Sequence, residues 1–81
     1  MYKFIESSEP LEYSLPIVGA NILSIIIDSN GRMTIFKLFE RIHKLYPNYG
    51  DNRINQSLMF LFSIAVIEFN EPYVEVIYDN H

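Results

Sequence analysis

The stretch Asp51 to Phe69, DNRINQSLMFLFSIAVIEF, decides how the rest of the chain folds. Asp51 is placed to cap a helix, because its carboxylate can accept from the unpaired amides of a first turn. Behind it, Ile54, Leu58, Leu61, Phe62 and Ala65 recur at helical spacing and predict one apolar face on a helix running to about Ile64. The other side carries Gln56, Met59, Phe60 and Ser63, so two large apolar groups stand where a lone domain expects solvent. A helix that is apolar nearly all round is covered on more than one side. In a chain of 81 residues the second cover is expected from another chain.

Towards the C-terminus, Val66-Ile67-Glu68-Phe69, the turn Asn70-Glu71-Pro72 and the run from Tyr73 to Tyr78 predict a short hairpin. Towards the N-terminus, Thr34 caps a second predicted helix in which Ile35, Leu38, Phe39, Ile42 and Leu45 make an amphipathic stripe that Pro47 ends. Arg32 and Met33 read as a short extended link, and Ser29-Asn30-Gly31 as a turn. A first helix is expected from Leu15-Pro16 to about Asp28, since proline is tolerated in a first turn, with Asn21, Ser24 and Asp28 as a thin polar stripe. Tyr2 to Ile5 reads as extended, with Tyr2 and Phe4 on one face, and residues 6–14 as an irregular arm. The predicted fold is mainly α with a small β-hairpin. It is a winged helix-turn-helix over residues 15–81, preceded by an extended N-terminal arm over residues 1–14, with the third helix in the recognition position.

Composition narrows the function classes. The hydrophobic fraction of 49% and the twelve Phe and Tyr residues are high for a chain with so little interior, which favours a surface that another molecule covers. There is no cysteine, and so neither a disulfide framework nor a thiolate metal site. The start of the chain, MYKFIESSEP, lacks the apolar core of a secretion signal. The apolar runs are too short or too interrupted to span a bilayer, so a cytoplasmic protein with no membrane contact is expected. The two histidines, His43 and His81, stand apart without a metal-binding spacing. With no phosphate-binding glycine loop and no paired-carboxylate motif, neither an enzyme nor a cofactor is expected.

Charge is laid out in blocks. Residues 1–31 carry a net −3, residues 32–53 a net +3 and residues 54–81 a net −4. A basic middle between acidic ends suits docking on a protein of mixed charge. It is a poor footprint for nucleic acid, where phosphate neutralisation dominates affinity. Lys37, Arg41 and Lys44 form a basic stripe on the second helix. They read either as orienting contacts to an acidic partner or, more simply, as the solvated face of an amphipathic helix. Asn52, Arg53 and Asn55 have the chemistry to read base edges at the start of the third helix. Glu68, Glu71 and Glu75 in the hairpin would meet phosphates with repulsion, so direct DNA binding is the lesser reading.

Three stretches carry a family resemblance: Leu15-Pro16-Ile17-Val18-Gly19-Ala20-Asn21-Ile22-Leu23, the helix from Phe36 to its stop at Pro47, and Leu58-Met59-Phe60-Leu61-Phe62 followed by Val66-Ile67-Glu68. With an extended arm, three helices and a two-stranded wing, they resemble the middle component proteins, family 6, of bacterial ABC-three-component systems. The resemblance implies a non-catalytic adaptor in an anti-phage defence system, beside an SMC-like ATPase and an effector such as a nuclease.

On this reading Gln56, Met59, Phe60 and Ser63 meet a larger subunit, with Tyr2 and Phe4 as further contacts. Alternatively, the arm folds back and Tyr2, Phe4 or Leu11 covers the patch within the chain. Two rivals stand beside the adaptor: a winged-helix transcription regulator, and a subunit whose third helix pairs with its own copy. The stretches Tyr2–Ile5 and Tyr73–Tyr78 read either as strand edges open to an added strand from another chain or as strands that pair with each other within the domain.

Overall fold

Local chemistry sets the helix boundaries. In the computed structural model, which describes residues 13–77, α1 covers Leu15–Asp28, with its proline in the first turn. Its end closes with the Gly31 amide donating to Ile26 O (2.9 Å) and the Asn30 amide to Ile27 O (3.0 Å). Asn30 and Gly31 take positive φ angles of 65° and 83°, which these two residue types tolerate best. A short strand, β1 (Arg32–Thr34), then leads straight into α2 (Ile35–Leu45). Thr34 caps α2 as expected, its hydroxyl accepting from the Lys37 amide at 3.1 Å. The expectations placed on Tyr2, Phe4, Leu11 and Tyr78 lie outside the described residues.

The third helix, α3 (Asp51–Ser63), begins differently from the expectation. Gly50 is the N-cap, and Asp51 is the first residue inside the helix. One position late for capping, its carboxylate instead lies 3.0 Å from His43 Nε2 on α2, where it also faces the positive end of the α3 dipole. The far end of α3 repeats the α1 device. The Val66 amide donates to Leu61 O (3.1 Å) and the Ala65 amide to Phe62 O (3.0 Å). Here the left-handed position is filled by Ala65 at φ 62°, which costs about 1–2 kcal/mol relative to glycine.

After α3, β2 (Ile67–Asn70) and β3 (Tyr73–Val76) form the expected hairpin. Arg32 and Met33 are more than a link, because β1 joins the hairpin in a three-stranded antiparallel sheet of order β1-β3-β2. Met33 pairs with Val74, and both are buried; Arg32 pairs with Glu75, with Nε 3.2 Å from its carboxylate and the guanidinium 3.8 Å above the Tyr73 ring. β3 is therefore the central strand, and Tyr73–Val76 is not a free edge. The outer strands are β1 and β2.

The core lies where α1 crosses α3 and the sheet closes one end. Val18, Ile22 and Ile26 of α1 meet Ile54, Leu58 and Leu61 of α3. Each such side chain contributes about 1.5–3 kcal/mol by leaving water. Gly19 permits the close approach: a Cβ there would stand 3.2 Å from Leu61 Cδ2 and 3.5 Å from Phe60 Cδ2. Leu38 and Ile42 bring α2 to the same core.

The apolar faces need three corrections. Phe62, Ala65 and Leu45 are exposed rather than buried. The inner face of α3 centres on Ile54, Ser57, Leu58 and Leu61, which turns Phe62 to one flank. Ala65 lies past the helix end, and Leu45 is the last residue of α2, at the rim of the α2–α3 loop.

Candidate protein-docking surface

Helical periodicity that buries Ile54, Leu58 and Leu61 necessarily turns Asn52, Gln56, Met59 and Ser63 outward, and all four are exposed. Together with Leu15 of α1, Asn52, Arg53, Asn55, Gln56, Met59, Phe60 and Ser63 line an open groove of about 710 Å³ along α3. Its start is amide-rich and its far half is apolar. Met59 is 59% exposed, whereas Phe60 is half-buried against the core where it approaches Gly19. Ser63 donates its hydroxyl to Phe60 O at 2.9 Å, which leaves its oxygen an acceptor for this surface. The residues expected to meet a partner and those with base-reading chemistry thus share one groove.

The exposed aromatic side chain of α3 is Phe62, whose ring stands 5.3 Å from that of Phe69 on β2. Sequence periodicity assigned Phe62 to the core because one turn of helix separates it from Leu58. The buried Ser57 is the signal against that assignment. Fully enclosed, and with no hydrogen-bond partner for its Oγ among the described residues, it shows the inner face rotated away from Phe62.

The loop from α2 to α3 is held by aromatic contacts. Tyr49 is buried, stacks on Tyr46 with ring centroids 4.9 Å apart, and meets Tyr13 edge-on at 5.8 Å. Its hydroxyl accepts from Asn21 Nδ2 at 2.9 Å, which gives the thin polar stripe of α1 a structural role. Fixing this loop fixes where the first turn of α3 points.

Lys37, Arg41 and Lys44 are exposed on one flank of α2 around a shallow cleft shared with Glu40 and His43. Among the described residues, none of these three cations is in an ion pair. The stripe and the α3 groove share no lining residue.

A second apolar surface escaped the sequence reading. Phe36 is 77% exposed and, with Thr34, Ile35, Phe39, Glu71 and Pro72, lines an open groove of about 590 Å³. Phe36 was visibly off the apolar stripe of α2. Its neighbour Pro72 lies far along the chain and reaches it only because β1 pairs with β3, which seats the hairpin turn on α2 with the Ile35 amide donating to Pro72 O at 3.0 Å.

A model of the family described as ABC-three component (ABC-3C) system Middle Component 6 matches residues 6–76. The chain belongs to that family. No curated protein and no solved structure matches it. As a middle component of a three-component system, it has other subunits of that system as partners. Among the described residues of this middle component, no helix is long and apolar enough to cross a membrane, and no cluster of three or more His, Cys, Asp or Glu side chains is placed to hold a metal.

Proposed function

We propose that this middle component is a non-catalytic winged-helix adaptor, working in the cytoplasm, that joins an SMC-like ATPase to an effector in an anti-phage defence system. The element order, with β1 between α1 and α2 and a hairpin after α3, supports the winged-helix reading. The observation that carries the docking role is the apolar half of the α3 groove, with Met59 exposed on a helix whose opposite side already fills the core. Contiguous exposed apolar surface marks an interaction site. Met59 and the outer part of Phe60 serve as anchors, with Gln56 and Ser63 around them. Lys37, Arg41 and Lys44 steer the approach of an acidic partner surface. Glu68 and Glu71 are exposed on the hairpin, which favours protein over nucleic acid as the occupant, since carboxylates repel phosphate.

The test is co-purification of the chain with the other components of its system. Met59→Asp is the informative variant, because Phe60 also packs against α1 and its replacement would mix folding with docking. Loss of one component from a folded Met59→Asp chain is expected, as is a weaker, salt-dependent loss with Arg41→Glu. Retention of every component by Met59→Asp would remove the α3 groove from the interface. Steeply salt-dependent binding of duplex DNA, abolished by Arg53→Ala, would transfer the role to nucleic acid.

A further inference from the structure

We infer that the groove between the start of α2 and the hairpin turn is a second docking surface, which takes an apolar anchor flanked by a Lys or Arg side chain from a different component of the same system than the one bound at α3. This rests on the adaptor reading above and adds to it where the second partner is held.

Phe36 is the most exposed large apolar side chain among the described residues, at 77%. A lone exposed phenylalanine needs no explanation, but this one has company. Ile35, Phe39 and Pro72 form the remaining apolar lining, and the groove has about 590 Å³ of space, enough for a large side chain and its neighbours. The floor is fixed in advance. Thr34 caps the helix beneath Phe36, and the Ile35 amide ties the hairpin turn down through Pro72 O. Rigid walls reduce the ordering cost of binding.

Charge selects the occupant. Glu71 is the only charged residue lining the groove, and no basic side chain lines it. Of the hairpin carboxylates, Glu75 is already paired with Arg32, whereas Glu71 has no ion pair among the described residues. A carboxylate at the rim of an apolar groove is complementary to a cation beside an apolar anchor. The groove shares no lining residue with the α3 surface and sits on different elements, so two partners can be engaged together.

The experiment uses the full chain co-expressed with the other two components of its system, comparing Phe36→Asp, Phe36→Leu, Glu71→Lys and Met59→Asp. Phe36→Asp is expected to weaken one component by roughly tenfold or more, as for a central aromatic anchor. It should retain the component that Met59→Asp releases. Glu71→Lys should weaken the same component as Phe36→Asp, and Phe36→Leu should largely keep it. The inference is overturned if Phe36→Asp and Glu71→Lys both retain all components, or if they release the same component as Met59→Asp. It is also overturned if light scattering on the isolated chain shows a dimer that Phe36→Asp dissolves, which would make a second copy the occupant. If Met59→Asp releases a component and Phe36→Asp does not, this inference alone fails. If neither variant releases one, the adaptor reading fails with it.

Discussion

The two long sides of α3 both carry large apolar side chains, which meet different fates. On the inner side Ile54, Leu58 and Leu61 are at most 4% exposed, interlocked with α1 across Gly19. On the outer side Met59 and, at the flank, Phe62 are 59% and 46% exposed. Hydrophobicity alone does not separate Met59 and Phe62 from the buried set. What separates them is whether another element of this chain reaches them: α1 packs on the inner side, and no described helix or strand covers Met59. The inner side stabilises the fold, and under the proposed function the outer side stabilises a complex.

That contrast can be broken by measurement. Ile54→Ala should have the largest effect, lowering the unfolding free energy by about 2–5 kcal/mol through lost burial and a residual cavity. A denaturant midpoint unchanged from the parent would show that the inner side is not the core. Gly19→Val should cost about 1–3 kcal/mol by forcing Leu61 and Phe60 apart, because overpacked seams relax poorly. If it proves neutral, α1 and α3 are not in close approach there.

Ala65→Gly should instead stabilise the chain by about 1 kcal/mol, by relieving the left-handed position at the end of α3. A lower melting temperature for this variant would contradict that helix ending. The smallest effect is expected on the outer side, where Met59→Asp should shift stability by no more than about 0.5 kcal/mol. A loss comparable to that of Ile54→Ala would make the outer side a hidden part of the core and erase the comparison.

Much of this was legible in the residues. Pro16, the Ser29-Asn30-Gly31 turn, Thr34 and Pro47 delimit two helices by chemistry that acts within a few residues, and the boundaries of α1 and α2 follow them. The outward set on α3 was legible for the same reason, since Gln56, Met59 and Ser63 follow from helical period alone. The differences fall at helix ends and where a neighbour distant in sequence decides. Phe62 and Leu58 are equivalent by spacing, and only the direction of α1 tells them apart. Asp51 is as good a cap as any carboxylate, yet the chain turns one residue earlier, at Gly50, and leaves it to His43.

The sequence by itself determined three helices, a hairpin and a surplus of apolar surface, because periodicity, capping and turn chemistry are properties of adjacent residues. Tertiary structure decided that Arg32–Thr34 is a strand, that β3 lies between two partners, and that Phe36 and Pro72 form one groove. These depend on which backbone amides find which carbonyls across the fold. The pairing of Met33 with Val74, both buried, joins residues far apart in the chain, which no local preference of either strand specifies.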